Sequence, residues 1–471
     1  MSSTAPTDIT RNTVSIPGEI TFYLLDDTGL LFNADRAEIY HLNTSAAFIW
    51  CCLEEGMTCA DIAAAYTDAF AVSADDADSH VAEMLGQWQG LGYIEDAAFP
   101  APPPIDFTTA LGRLLALPRL LAAFSRAPAE TARRIGVRQK DLESFLLLNP
   151  DELEKQARTL RQKVLSKRHR ADINLFHRTS ADETFQPVEK PAVIQDYLLL
   201  TTRFHIRYAS SAQLESVHPT LKHLAIPDGD TSDLVIDILD CGDEHVVLEN
   251  GEGVARCPSL NHLAPSVKSR LRQSVINRHD YFMQIHGAAV MTDEHRCILM
   301  PAAPGSGKTT LSAALAASGM YFLSDEVALL EDITLQVCPM PFSMAVKAGS
   351  VEALADYYPC LKALPQHMRQ DEHQIRYLAP PAAALQYPGN ERYQIQWIIF
   401  PRYQPGTTPE LRPLGRGDAL QRLLDECLVI PAALDRKRVG NLIQWLQGVE
   451  CFEMSIDALP QATDLIIRTC R

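Results

Sequence analysis

An apolar run ending at Met300, the glycine-bearing segment Pro301-Ala-Ala-Pro-Gly-Ser-Gly-Lys-Thr-Thr310 and an alternating Ala/Leu pattern over Thr309–Ser318 follow one another in the middle of the chain. Strand, glycine loop and helix in that order are the context a phosphate-binding loop requires. Gly305 and Gly307 let backbone N–H groups turn toward an anion, and the N-terminus of the following helix adds a favourable dipole. Pro304, Gly305, Ser306, Gly307, Lys308, Thr309 and Thr310 then form the cradle. Lys308 is placed to reach β- and γ-phosphates, and the Thr309 hydroxyl to meet Mg²⁺, which in nucleotide sites takes one or two protein oxygens. The expected ligands are ATP, or GTP, with Mg²⁺. The full pattern has Gly where this chain has Ala302, a change that is tolerated only if the backbone there keeps φ negative.

A chain of 471 residues divides into two or three domains with ample material for buried cores. Net charge of −17 and a pI near 5.3 argue against a general nucleic-acid or anionic-membrane partner, because both need a basic field. Basic residues outnumber acidic ones between Arg113 and Arg178, which reads as a solvated helical face or as a local surface for an acidic partner. The eleven cysteines lack CxxC pairs or regular spacing, and reduced buried thiols are expected. The N-terminal residues have neither a basic start nor an apolar core, and no run approaches the ~18 apolar residues of a membrane span, so a cytoplasmic protein is expected.

Residues 15–98 read as a small winged-helix-like module. Ile20–Leu25 and Leu30–Phe32 flank Asp26-Asp27-Thr28-Gly29, a hairpin signal. Asn43 can cap a first helix carrying Phe48, Trp50, Cys51 and Leu53. Thr58 with Asp61 forms a capping box for a second, and Val81, Met84, Leu85, Trp88 and Leu91 recur at helical spacing in a third. The aromatics of this unit are read as core. Leu30-Leu-Phe-Asn-Ala-Asp-Arg-Ala-Glu-Ile-Tyr-His-Leu-Asn43, Cys59-Ala-Asp-Ile-Ala63 and Met84-Leu85 with Leu91-Gly-Tyr-Ile94 together resemble the PqqD family of peptide chaperones. The resemblance implies that this module holds the leader of a ribosomal precursor peptide, by β-addition to an exposed strand edge next to the third helix.

The proline-rich stretch Phe99–Ile105 opens a linker region, 99–190, expected to be helical in its middle and polar toward its end. Residues 191–471 read as an α/β domain. Strands are expected at Tyr197–Thr201, Leu234–Leu239, His245–Leu248, Gln284–Val290, Tyr321–Ser324, Val327–Leu330 and Ile395–Phe400, with a closing helix around Val439–Leu446.

Asp325-Glu326 follow a short strand just after the helix that starts at the loop, where a carboxylate can meet a Mg²⁺ held by Thr309. Either can bind metal, and Asp325 can alternatively accept a proton from an incoming hydroxyl; a solvated acidic strand end is the plainer reading. His286, on the strand before the loop strand, is either near the triphosphate or a hydrogen-bonded core residue.

Ile285-His-Gly-Ala-Ala-Val290, Ala302–Thr309 and Phe322-Leu-Ser-Asp-Glu-Val327 match in order and spacing, and resemble HPr kinase/phosphorylase and its HprK-related relatives. That resemblance implies a P-loop kinase core of the HPr kinase/phosphoenolpyruvate carboxykinase type. It makes Asp325 the acid/base aspartate, His286 the active-site histidine, and Lys308 and Thr309 the nucleotide residues. Glu326 stands where the related branch has Glu. Pro339-Met-Pro-Phe-Ser-Met-Ala-Val-Lys-Ala-Gly-Ser350 is similar to a proline-then-lysine segment of that branch, which implies a phosphate or substrate contact for Lys347, although a surface lysine is the blander reading; Arg402 is a weaker candidate of the same kind. No segment matches the part of the family linked to phosphorylase activity.

The two resemblances together lead to the expectation of a kinase acting on a Ser or Thr hydroxyl of a captured precursor peptide or small protein, in a chain able to form a homo-oligomer. A peptide-binding adaptor switched by nucleotide and a small-molecule kinase are the alternatives.

Overall fold

The computed structural model describes residues 14–95, 191–229, 231–369, 373–386, 392–432 and 434–470. The linker region expected at 99–190 lies outside them. The described residues fall into two compact units. One gathers the residues up to 95 with Gly415–Gly417 and 434–447, and the other holds the remainder. Two short pieces of the segment expected as one C-terminal domain thus pack with the N-terminal unit.

The first unit opens with a three-stranded antiparallel meander, β1 (Ile20–Leu25), β2 (Thr28–Asn33) and β3 (Glu38–Leu42), in the order β1-β2-β3. The β1–β2 turn is two residues long, with Asp26 at φ 54°, the left-handed conformation such tight turns favour. Helices α1 (Thr44–Glu54), α2 (Cys59–Phe70) and α3 (Ala74–Gly90) follow. Each starts where a side chain accepts a hydrogen bond from the first turn: Asn43 from the Ala46 amide, Thr58 from Asp61 and Ser73 from Asp76. Trp50 and Trp88 are fully buried edge-to-face, 5.0 Å apart, and form the centre of this core. Strand β3 had no counterpart in the sequence reading.

In the second unit β4 (Val193–Leu199), β5 (Thr202–Tyr208), β6 (Ala225–Ile226), β7 (Leu234–Cys241), β8 (Glu244–Glu249) and β9 (Glu252–Cys257) form a sheet in the order β6-β4-β5-β7-β8-β9, covered by α4 (Ser211–Leu221) and α5 (Leu260–Ile276). Next come β10 (Met283–Ile285), β11 (Gly287–Met291), β12 (Cys297–Pro301), α6 (Lys308–Ala317), β13 (Tyr321–Ser324), β14 (Ala328–Leu330) and β15 (Val337–Cys338). Then follow β16 (Met344–Lys347), α7 (Ala348–Val351), β17 (Gln366–Met368), β18 (Gln374–Leu378), β19 (Ile395–Tyr403) and β20 (Glu410–Pro413). The chain closes with α8 (Arg416–Asp425), whose first two residues belong to the first unit, β21 (Cys427–Val429), α9 (Arg436–Gln447), which belongs wholly to the first unit, β22 (Glu450–Ile456) and α10 (Leu459–Thr469). Among the described residues, the loop strand lies inside the sheet β13-β11-β12-β19-β22-β20, whose β12, β19 and β22 are parallel. A second sheet runs β15-β14-β10-β21, and a third β16-β18-β17. Helices α6 and α10 bury Leu311, Leu315, Ala462 and Ile466 with Val290, Ile298, Met300 and Ile399 of the loop-strand sheet. Among the described residues, no helix is long and apolar enough to cross a membrane.

The strand expected at Gln284–Val290 is two strands. β10 and β11 belong to different sheets and break at His286. The strands at Tyr321–Ser324 and Ala328–Leu330 break in the same way, since β13 pairs with β11 whereas β14 pairs with β10. Two antiparallel connections therefore change sheets side by side, with His286 at one corner and Asp325-Glu326 at the other.

Candidate phosphate-loop site

The loop between β12 and α6 has the geometry its glycines predict. Gly305 and Gly307 sit at φ 87° and 93°, conformations that carry little cost only without a side chain. Ala302 is absent from the positive-φ residues and its amide donates to the His286 carbonyl at 3.3 Å, so the missing glycine leaves no strain there. Gly307 caps α6, and Lys308 is its first residue. The loop therefore ends on amides that the helix leaves unpaired, at the C-terminal end of a parallel strand, where open α/β sheets hold their ligands.

Lys308 is buried, and its Nζ donates back to the loop carbonyls of Ala302 (2.5 Å) and Ala303 (3.1 Å). Burial pushes its pKa down, opposed by the charges of Asp325, Glu426 and Glu326. Thr309 Oγ1 donates to Asp325 Oδ1 at 3.1 Å, which ties the start of α6 to the end of β13. The other carboxylate oxygen of Asp325 is buried without a hydrogen-bond partner, and so are Ser306 Oγ, Ser324 Oγ and Gln284 Oε1. Burial, then the neighbouring Glu326, raises the Asp325 pKa. Polar atoms left unsatisfied in this way are costly unless a ligand or ion completes them. Thr309 and Asp325 offer hard oxygens of the kind Mg²⁺ takes. Among the described residues there is no group of three or more His, Cys, Asp or Glu side chains that could hold a metal, so any ion here would depend on phosphate and water for the rest of its shell.

Glu326 faces elsewhere. Its carboxylate meets Arg272 at 2.8 Å, Arg369 at 3.4 Å and Lys268 at 3.7 Å. Although burial opposes ionisation, these cations, Lys268 and Arg272 foremost, hold it ionised well below the usual glutamate range. Lys268 is itself buried, donates to the Ser343 carbonyl at 2.8 Å and lies 4.8 Å from the centre of the Tyr377 ring. Of the three metal candidates, Thr309 and Asp325 are thus brought together, while Glu326 is turned to the cations.

His286 presents Nδ1 to Glu426 Oε2 at 3.2 Å, and its amide donates to the Glu426 carbonyl at 2.8 Å. A carboxylate can only accept, so Nδ1 carries the proton in this contact. Lys347 is exposed at the end of β16, close enough for its charge to act on Lys308, and Thr310 Oγ1 donates to Ser350 Oγ at 2.7 Å just beyond it. Arg402 is exposed on β19.

Lys268, Arg272, Arg369 and Glu426 were not among the residues singled out from the sequence. A signal existed for the first two: they stand one residue after Val267 and Leu271, on the buried flank of an otherwise amphipathic helix, where unpaired cations are rarely tolerated. Glu426 and Arg369 carried none.

In the first unit β3 is an outer strand of its sheet among the described residues, and its Tyr40 ring packs 5.6 Å from Tyr93, just beyond α3. Residues 28–94 match the family of coenzyme PQQ synthesis protein D (PqqD). The PqqD-like segment covers β2, β3 and all three helices of this unit, with the β3 edge inside it. No curated protein matches the chain.

Proposed function

We propose that this chain is an ATP-dependent kinase that phosphorylates a Ser or Thr hydroxyl of a ribosomally made precursor peptide or small protein held by its PqqD-like unit. The observation that carries the reading is the Thr309–Asp325 hydrogen bond beside a glycine loop, with the second Asp325 oxygen buried and unpartnered. Phosphoryl transfer is mostly positioning and charge neutralisation, which these residues supply.

Amides of Gly305 to Thr309 receive the phosphate chain, and Lys308 leaves the loop carbonyls to pair with it. Mg²⁺ held by Thr309 and Asp325 would neutralise charge on the phosphates. Asp325, its pKa raised by burial, takes the proton of the acceptor hydroxyl on its unpartnered oxygen while the bond from the acceptor's hydroxyl oxygen to the γ-phosphorus forms and the bond from the γ-phosphorus to the β-phosphate oxygen breaks. ADP carries away the electron pair, and the proton passes from Asp325 to solvent. Lys268, Arg272 and Arg369 hold Glu326 and keep a second carboxylate from crowding the incoming phosphate. His286, held on Glu426, is the other group able to orient the acceptor.

The test incubates the full chain with Mg·ATP and the short open reading frames encoded beside its gene, and reads intact peptide mass. A gain of one phosphate that disappears with Asp325→Asn is expected. A nucleotide-switched adaptor is the second reading, favoured by the self-contact of Lys308; it would show nucleotide-dependent peptide affinity with no change of mass.

A further inference from the structure

Tyr403 ends β19 with 53% of its surface open, although the other aromatic residues of that strand, Trp397 and Phe400, are buried. β12 and β19 are parallel neighbours, so both deliver the chain to the same edge of the sheet, one into the phosphate loop and the other into Tyr403. The two meet there. A Cβ placed on Gly307 would lie 4.0 Å from the Tyr403 Cβ, ordinary van der Waals distance. An aromatic ring held in solvent at the rim of an anion cradle does not serve the core, and nothing in the loop chemistry uses it. A triphosphate seated on the loop carries a flat, poorly hydrated base away from it, and stacking is the interaction such a ring offers a base.

Building on the nucleotide reading of the loop, we propose that Tyr403 is the platform on which the nucleobase of the bound nucleoside triphosphate stacks. The ring does this, and the hydroxyl is dispensable. The phosphates are held independently by the loop, so removing the ring weakens only ligands that have a base.

Calorimetric titration of the full chain in Mg²⁺ with ATP and with inorganic tripolyphosphate tests this. Wild type binds both. Tyr403→Ala is expected to weaken ATP by about 5- to 100-fold, in line with the usual worth of one base–aromatic stack, and to leave tripolyphosphate unchanged. Tyr403→Phe retains wild-type ATP affinity. In Tyr403→Trp the added indole emission changes with ATP and is unmoved by tripolyphosphate. Equal losses for both ligands in Tyr403→Ala would make the residue a support of the loop and overturn the proposal, as would unchanged ATP affinity. Failure of wild type to bind either ligand would instead bring down the phosphate-loop reading on which the proposal stands.

Discussion

Glu326 holds a left-handed backbone conformation, φ 70°, which costs a side-chain-bearing residue about 1–2 kcal/mol. Its three cationic partners offset that cost and set its charge. A carboxylate whose pKa is held down in the fold contributes stability above the ordinary glutamate value of 4.5 and loses it as pH falls through the depressed value. Glu326→Gln is therefore expected to destabilise the second unit by about 2–4 kcal/mol at pH 7, somewhat less than breaking a fully buried pair because the carboxylate is partly exposed. In denaturant unfolding the gap to wild type should begin to narrow as pH falls below 4.5 and close only as it falls through the depressed value; a gap that persists unchanged would show that the cations do not act through this charge. Asp325 has the opposite sign. Burial raises its pKa, so its ionisation opposes folding as pH rises above 3.8, and Asp325→Asn is expected to unfold at the same or higher denaturant while phosphate transfer falls about 10²–10⁴-fold.

At the scale of elements, the strand–loop–helix was legible to within a residue: a helix over Thr309–Ser318 was read and α6 spans Lys308–Ala317. Caps at Asn43 and Thr58 were legible for the same reason, since a cap is a contact made within three residues. Gly307→Ala places a side chain at φ 93°, and it is expected to weaken ATP binding at least about tenfold with the thermal transition nearly unmoved. Strand β22 and helix α10 were missed, and the strand around His286 was read as continuous. A strand is completed by partners distant in sequence: β22 is defined by β19, and the break at His286 by β11 turning to β12 while β10 pairs with β14 and β21. Alternation along the segment carries no mark of which sheet each half joins.

For the molecule as a whole, the proposed division of labour predicts separable defects. Trp88 is wholly buried against Trp50, and Trp88→Ala should cost the first unit about 3–5 kcal/mol, abolishing leader capture while ATP binding persists. Lys308→Met should do the reverse, retaining the peptide on a binding assay and transferring no phosphate. Loss of both functions in either variant would count against separate roles.

By itself the sequence determined the glycine loop, the helix caps, the amphipathic faces and the PqqD-like pattern of residues 28–94, because each is a local property written within a few turns of chain. Only the tertiary structure decided what surrounds the loop. Arg272 and Arg369 reach Glu326 from 54 and 43 residues away, Glu426 reaches His286 from 140, and Tyr403 comes to Gly307 through the pairing of β19 with β12. Buried charge pairs and strand neighbours of that kind arise from which faces the core brings together, a choice made by the packing of the whole unit and carried by no single stretch of it.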